Sequence, residues 1–262
     1  MPWFVVRIVL CWVVLSNAFA ASLPFDPSKF GDLNALVTPS VVKAVIKTVG
    51  FTLDHRPYEP ATPLGTQVGI TMGLEVTLLK LPDDLGPALN QASPTGGEIQ
   101  LLPFVLAPKV HLHKGIGPYV NLGGSYIAYR GFRLIGGDMQ VTVYQPSEGP
   151  TYAIRLCYAA SSLGFAKTKT LSPQVLVSRK VNFADPYLGV SFQYTLGSIE
   201  IPIELEDGTQ VGTLKGTERA SAWNAFLGIQ LKVPNLGLQL TLEGSYSTVG
   251  MHTLGTKFGF NF

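Results

Sequence analysis

Cysteine, charge and long apolar runs are all scarce in this chain. Its 262 residues include 2 cysteines, Cys11 and Cys157. Two distant cysteines exclude a disulfide framework and a cysteine-based metal site. Charged residues make up 14% of the chain, well below the usual level. The formal net charge of +2 comes without a basic run, so no nucleic-acid partner is expected.

The N-terminus has the pattern of a secretory signal peptide over residues 1–20. Arg7 precedes an apolar run from Ile8 to Leu15, and Ala18-Phe19-Ala20 has the small-x-small form of a cleavage site. The run is too short to span a bilayer comfortably. We therefore expect secretion with cleavage near Ala20, which leaves Cys157 as the single cysteine.

Past residue 20, no uninterrupted apolar stretch reaches the about 18 residues of a membrane-spanning helix. Glycine is abundant at 28 residues, and the mean hydropathy is positive at +0.27. From Val68 to Leu78 every second residue is apolar and the residues between are small or polar, a pattern typical of a membrane-crossing β-strand. A membrane protein without spanning helices must close its sheet, because open sheet edges cannot be satisfied in lipid.

The same alternation predicts an all-β fold, a transmembrane antiparallel up-and-down β-barrel of about ten strands over residues 65–262. Ten is an even number, as in most single-chain membrane barrels. The Gly136-Gly137 pair predicts a β-bulge. Within 198–218, Asp207-Gly208 is a hairpin signal that either extends the barrel wall above the membrane or adds two strands, giving twelve. The predicted strands cover 66–81, 98–113, 116–130, 132–145, the region around 152–158, 169–180, 187–197, 219–233, 238–246 and 255–262.

Residues 21–64 form a leader with a different composition. Thr38 and Pro39 have the pattern of a helix start, and Gly50 is a plausible helix end. The stretch from Thr52 to Leu64 contains three prolines, which predicts an extended, irregular chain. We expect a periplasmic leader with one short helix that caps the barrel end, because termini are commonly peripheral. A plug inside the lumen is the alternative.

The connections indicate which end of the barrel faces which side. If Phe262 ends at the periplasm, both termini are periplasmic and strand polarity assigns every turn. The shorter turns then all fall in the periplasm and the longer ones outside, as is typical of such barrels. The predicted periplasmic turns are 113–116, 145–150, 180–186 and 234–237, and the predicted outer connections include 82–97, 161–168 and 198–218.

The last strand ends in FGFNF, in which Phe258, Phe260 and Phe262 occupy every second position, so that one face is aromatic. Together with the signal peptide, the short helical leader and the glycine-rich strands, this ending resembles that of bacterial outer-membrane β-barrels, over the chain from Gly65 to Phe262. The resemblance implies a monomer in the outer membrane of a Gram-negative bacterium. It also implies that barrel-assembly machinery reads the three phenylalanines as a C-terminal assembly signal.

Two segments carry a more distant resemblance. TLSPQVLVSRK (170–180) and ADPYLGVSFQY (184–194) look like uncharacterised barrel families that are distantly similar to the long-chain fatty-acid transporter type. Those transporters are larger, with more strands and a longer N-terminal hatch. The resemblance implies a barrel that passes a hydrophobic molecule.

Strand parity places a set of polar side chains inside the predicted lumen. Such side chains either pair and fill the lumen or line a thin aqueous path. The first case is compatible with a structural or adhesive surface barrel, with 198–218 as its contact loop. The second predicts a passive channel or transporter for small solutes or hydrophobic molecules, which is the function we expect. The predicted lumen-facing residues include Glu75, Arg155, Gln193, Glu243 and Lys257.

Two histidine patterns bear on chemistry. His111 and His113 share one face of a predicted strand near a periplasmic turn. Two histidines can hold a metal ion, but no carboxylate lies close by in sequence, so we interpret them as interfacial and expect neither metal nor cofactor. Ser247 and His252 flank a tight turn and suggest a lipid-modifying enzyme. Their parity puts them on opposite strand faces, so no enzyme is expected.

Overall fold

The structure is a computed structural model that describes residues 38–52, 54–65, 69–80, 104–129, 132–204, 210–233 and 236–261. The predicted signal peptide with its cleavage site, the 82–97 connection and Phe262 lie outside these ranges. One α-helix and ten β-strands are described. They are α1 (Pro39–Thr52), β1 (Ile70–Lys80), β2 (Phe104–Ile116), β3 (Val120–Tyr129), β4 (Phe132–Tyr144), β5 (Pro150–Leu163), β6 (Ala166–Arg179), β7 (Ala184–Glu204), β8 (Gln210–Val233), β9 (Leu238–Ser247) and β10 (His252–Asn261).

The ten strands form a closed antiparallel barrel in which each strand pairs with its neighbours in sequence. The barrel closes where β1 pairs with β10, from Thr71 opposite Asn261 to Leu79 opposite Thr253. Closure leaves no open sheet edge. The predicted ten-stranded up-and-down barrel is thereby confirmed. In the described part of the chain, no helix combines the length and the apolarity that crossing a membrane requires.

The alternative of twelve strands is wrong, because residues 198–204 and 210–218 prolong β7 and β8, and Asp207-Gly208 lies outside the described residues. The pairing of β7 with β8 continues from Ser198 opposite Thr217 to Glu204 opposite Gln210. β7 has 21 residues and β8 has 24, whereas about 9–11 residues suffice to cross a bilayer. The excess forms a two-stranded extension beyond the barrel rim, as one of the two predictions from Asp207-Gly208 anticipated.

Two local predictions fail. The expected long connection at 161–168 is a tight turn, because Leu163 pairs with Ala166 and the chain reverses at Gly164 with φ +49°, a conformation that glycine adopts without strain. The expected bulge at Gly136-Gly137 is absent, since pairing with β3 and β5 continues in register through both residues. A close approach to another part of the chain explains Gly136, as described below.

The outer surface of β6 shows the height of the apolar belt. Lys169 and Arg179 are exposed and ten positions apart, or about 33 Å along a strand. At a tilt of about 40° this distance spans about 25 Å of bilayer, the usual height of the lipid-facing band of a membrane barrel. Between them every outward residue is apolar, namely Leu171, Pro173, Val175 and Val177. This exterior is that of a transmembrane barrel.

Helix α1 begins where the sequence predicts, with the Val42 amide donating to the Thr38 carbonyl over 3.0 Å. Its buried face packs on the inner side of the extension. A Cβ atom added at Gly197 would overlap Ile46, and one added at Gly216 would overlap Val42. Both glycines lie toward the rim opposite the end of β10. The leader was expected at the same end as the C-terminus, whereas the structure places its helix at the opposite end.

Candidate functional site: the plugged lumen

Residues 54–64, here called the plug, run through the lumen of the barrel. Residues 54–62 are all buried. The plug leaves α1 near one rim, and the Leu64 amide donates to Asn121 Oδ1 over 3.0 Å near the other. Of the two placements considered from the sequence, the structure shows the plug inside the lumen rather than the cap beneath it.

The plug forms no helix or strand, so its backbone does not satisfy its own hydrogen bonds. The barrel wall supplies them instead. The plug's prolines lack an N–H group, so they leave fewer buried donors to satisfy. Five of its carbonyl oxygens accept bonds from wall side chains. These bonds run from Lys109 to Asp54 (2.8 Å), Lys257 to Pro57 (2.6 Å), Arg155 to Glu59 (2.7 Å), Gln140 to Pro60 (3.2 Å) and Thr142 to Ala61 (2.8 Å).

Every strand of the barrel contributes a side chain that bonds to the plug. The wall therefore holds the plug from all sides, and the plug cannot shift toward one strand without breaking bonds to another. The bonding side chains are Thr77, Lys109, Asn121, Ser125, Asp138, Gln140, Thr142, Arg155, Ser172, Ser178, Gln193, Gln230, Ser245, Thr253 and Lys257.

Glu59 is the acid of the plug whose two carboxylate oxygens both bond to the barrel wall. Its Oε1 lies 2.6 Å from Lys257 Nζ, and its Oε2 accepts a bond from Gln230 over 3.0 Å. Lys257 is fully buried at 0% exposure. A buried charge is tolerated where it is paired and hydrogen-bonded, and the Lys257–Glu59 pair meets both conditions.

The structure places all five predicted lumen-facing residues in the interior, with exposures of 0–5%. Arg155 and Lys257 hold the plug directly, and Gln193 donates to Asp54 Oδ2 over 2.5 Å. Glu75 pairs with Lys109 at 3.0 Å, and Glu243 accepts a bond from the Tyr187 hydroxyl over 2.7 Å. Charge pairing and filling therefore describe this part of the lumen.

The densest cluster of the lumen, in which three histidine rings stack, was not predicted from the sequence. The ring centroids of His55 and His111 are 5.6 Å apart, and those of His111 and His113 are 5.7 Å apart. The interpretation of His111 and His113 as interfacial is wrong, since both are buried inside the lumen at 1% and 2% exposure. Lys109 lies opposite the lumen-facing Glu75 in the strand register, and His111 and His113 follow Lys109 at alternate positions of β2. The same strand face therefore carries all three side chains into the lumen.

Carboxylates reach this cluster from distant parts of the chain. His55 Nε2 lies 2.6 Å from Asp138 Oδ1 on β4, and His113 Nε2 lies 3.3 Å from the same oxygen. His111 Nε2 lies 2.5 Å from Glu75 Oε2 on β1. Because strand pairing and not sequence proximity brings these acids to the histidines, the search for a neighbouring carboxylate in the sequence could not find them.

A small cavity of about 10 Å³ lies between plug residues 54–58 and the wall, where Arg155, Asn224 and Glu243 line it. A water molecule needs at least about 10–15 Å³ by this measure, so the cavity takes about one water and no solute.

The Ser247–His252 pair does not form. Ser247 is buried at 2% exposure, whereas His252 is exposed and its ring contacts that of Tyr246 at a tilt of 55°, with centroids 5.0 Å apart. At the end of β10, Phe258 is exposed on the outer surface and contacts Phe260 edge to face at 5.6 Å.

No protein-family model matches the chain, and no curated protein matches it. Among solved structures, it is similar to Neisserial surface protein A (10% identity, 74% of this chain and 97% of that one, TM-score 0.31). It is also similar to the N-terminal β-barrel domain of Pseudomonas aeruginosa OprF (14% identity, 73% of this chain and 97% of that one, TM-score 0.31). A third similar structure is the translocator domain of the autotransporter NalP from Neisseria meningitidis (10% identity, 83% of this chain and 94% of that one, TM-score 0.30). At these identities no function transfers to this chain.

Proposed function

We propose that the protein is an outer-membrane β-barrel sealed by its own N-terminal segment, and that it acts as a structural, surface-presenting barrel without an open pore. The observation that carries this proposal is the plug, which bonds to all ten strands. The apolar belt supports the membrane as its location, since a soluble barrel does not expose a continuous lipid-height band.

The β7–β8 extension supports one orientation, because it lengthens the end of the barrel opposite the end of β10 and membrane barrels carry their longer loops outside. The described turns at the end where β10 finishes are short, around 117–119, 145–149 and 180–183, as periplasmic turns are. Helix α1 and the β7–β8 extension then lie on the cell surface. In this orientation they are the parts of the molecule that meet partners outside the cell, which is the role that sequence analysis gave to residues 198–218.

An open channel is less compatible with this lumen. Displacing the plug breaks the buried Lys257–Glu59 pair together with plug bonds to all ten strands. These buried, hydrogen-bonded contacts stabilise the sealed state. A steady passive conductance requires the opposite, a lumen that is open most of the time.

A gated passage is the second candidate, and the wall behind the plug favours it. That wall is polar, so a lumen freed of the plug would admit hydrophilic solutes rather than the hydrophobic molecules that the fatty-acid transporter resemblance implies. That resemblance stays a prediction, as does recognition of the C-terminal strand by assembly machinery. The polar wall residues include Thr71, Thr168, Thr170, Ser191, Thr195 and Thr241.

Recordings of the full-length mature protein in planar bilayers test the sealed barrel. We expect insertion without steady conductance over a wide voltage range. Long-lived open levels in the unmodified protein would refute the proposal.

Orientation is tested by cysteine labelling of intact cells with a membrane-impermeant maleimide. Lys43 on α1 and Glu148 in a short turn are both exposed, at opposite ends of the barrel. We expect Lys43→Cys to react on intact cells and Glu148→Cys to react only after lysis, and the reverse pattern would invert the orientation. The natural Cys157 is buried at 0% exposure, so the unsubstituted protein is the silent control.

A further inference from the structure

We infer that His55, His113 and Asp138 form a binding site for a divalent transition-metal ion of the zinc type. The site joins the plug, through His55, to strands β2 and β4, through His113 and Asp138. This inference goes beyond the proposed function, because a sealed barrel requires no metal.

The candidate ligand atoms are already close together. The two histidine nitrogens and the carboxylate oxygen all lie within 4.8 Å of one another, and all three residues are buried. Zinc–ligand distances of about 2.0–2.2 Å in a tetrahedral site separate neighbouring ligand atoms by about 3.3 Å. His113 Nε2 and Asp138 Oδ1 stand at 3.3 Å, so this pair has the required separation.

His113 has no well-aligned hydrogen-bond partner among the described residues, although its side chain is only 2% exposed. Its Nε2 lies 3.3 Å from Asp138 Oδ1 but outside the alignment of a hydrogen bond, and its Nδ1 has no partner. Buried polar atoms without partners are rare and call for a ligand or a specific role. A metal ion at Nε2 satisfies that atom, and Glu59 Oε1 lies 4.0 Å from Nδ1 on the other side of the ring.

His55 is oriented as metal-binding histidines usually are. Its Nδ1 lies 2.6 Å from Ser125 Oγ, and its Nε2 points at Asp138 Oδ1. In the tautomer in which Nδ1–H donates to the serine, Nε2 carries a lone pair that can coordinate a metal, whereas in the other tautomer Nε2–H donates to Asp138. At 2.6 Å the nitrogen and the carboxylate oxygen are hydrogen-bonded, so a bound metal replaces that proton and the two atoms move apart to the spacing of metal ligands. A bond from the outer ring nitrogen to a neighbouring group fixes the tautomer in which the inner nitrogen coordinates a metal.

The charge balance of the lumen favours a bound cation. Among the described residues, and apart from Asp185, which pairs with Lys232 near the rim, the buried carboxylates outnumber the buried lysines and arginines by five to four. Unpaired negative charge in a water-poor interior is costly. The carboxylates are Asp54, Glu59, Glu75, Asp138 and Glu243, and the cations are Arg56, Lys109, Arg155 and Lys257.

Glycine keeps the site open. A Cβ atom at Gly123 would collide with Asp138 Oδ1 and with the ring of His113. One at Gly136 would collide with His55, which explains this glycine without a bulge.

Two imidazoles and one carboxylate suit zinc or cobalt, whereas calcium and magnesium prefer oxygen ligands alone.

To test the site, the full chain is unfolded in the presence of a chelator and then refolded into detergent with Zn²⁺ or Co²⁺. Excess metal is removed before measurement. Refolding in the presence of metal is needed because the site is buried once the barrel closes. We expect one equivalent of metal per chain by elemental analysis, a visible absorption spectrum with Co²⁺, and a higher unfolding temperature than the metal-free protein, since ligand binding to the folded state stabilises it.

Three variants should abolish the metal, and a fourth is the matched control. His113→Gln and Asp138→Asn each remove a ligand. Gly123→Ala keeps all three ligand residues but displaces His113 and Asp138, with which its added Cβ collides. His252→Gln removes an exposed histidine outside the lumen and should bind one full equivalent. Each variant is first checked for a folded barrel by its mobility shift on heating in gel electrophoresis.

The inference is overturned if the unmodified protein refolds without retaining Zn²⁺ or Co²⁺, or if His113→Gln and Gly123→Ala retain it. If the variants do not fold, the metal content and Co²⁺ spectrum of the unmodified protein decide alone. Because the assay reads metal content, its failure leaves the sealed lumen intact, and steady conductance in bilayers would leave the metal site intact.

Discussion

Lys257 on the last strand and Glu59 in the plug form a fully enclosed ion pair at 2.6 Å, although 198 positions separate them in sequence. The pair links the strand that closes the barrel to the segment that fills it. Lys257 also lies opposite Glu75 across the β1–β10 seam. Closing the seam and seating the plug are therefore structurally coupled, since the same lysine serves both.

Replacing Lys257 by methionine should destabilise the barrel strongly. The substitution leaves Glu59 buried without its cation, which costs about 3–5 kcal/mol. We expect a correspondingly lower free energy of unfolding in urea. Lys167→Met is the control, because the Lys167–Glu200 pair at 2.9 Å is solvent-exposed and contributes little. Equal effects of the two substitutions would contradict the account.

Loosening the plug should open the lumen briefly. Arg155 donates to the Glu59 carbonyl and to Gln140 and Gln174, so Arg155→Met together with Lys257→Met removes two anchors. We expect short, flickering conductance steps in bilayers, while Lys167→Met stays silent. A double variant that folds and remains silent would count against the gated passage.

Glycines under the plug should not tolerate a side chain. A Cβ atom at Gly255 would overlap the ring and hydroxyl of Tyr58. We expect Gly255→Ala to lower the free energy of unfolding by about 1–3 kcal/mol, as overpacking of a core does. Gly244→Ala on the neighbouring strand is the control, since the nearest atom to its added Cβ would be 3.9 Å away. Similar losses in both variants would argue against a seated Tyr58.

The docking of α1 on the extension predicts a disulfide. The Cβ position built on Gly216 is 3.6 Å from Val42 Cβ, within the about 3.5–4.5 Å of natural disulfides. Val42→Cys with Gly216→Cys should cross-link on mild oxidation, detected by a gel shift that reductant reverses. Lys43→Cys with Gly216→Cys should not, because Lys43 faces solvent. Cross-linking of only the second pair would contradict the account, because it would show that Lys43, and not Val42, faces Gly216.

Strand alternation predicted the wall of this molecule well, because lipid outside and polar groups inside impose a period of two on each strand. It failed where a single residue determines the length of a connection, as at Gly164, whose positive φ allows a tight turn between β5 and β6. The plug was harder to predict, since prolines and charges in residues 54–64 are equally typical of an exposed leader. Their burial depends on partners such as Arg155 and Lys257 that only the closed barrel brings together.

The histidine cluster shows the same limit. The pairing of β1 with β2 sets His111 beside Glu75, and His55 arrives from the plug. One strand displays two of the three rings, and the sequence holds no local sign of the third. The residues missed are thus those whose partners come from threading the plug through the barrel.

The reactivity of a cysteine placed at Ala61 tests the sealed lumen most directly. Ala61 is 0% exposed within the plug, and the natural Cys157 is equally buried. In the folded protein, Ala61→Cys should stay unmodified by a water-soluble maleimide while Glu148→Cys in an exposed turn is fully labelled, and it should react once urea unfolds the barrel. Labelling of Ala61→Cys in the folded barrel as fast as Glu148→Cys would show that residues 54–64 do not fill the lumen.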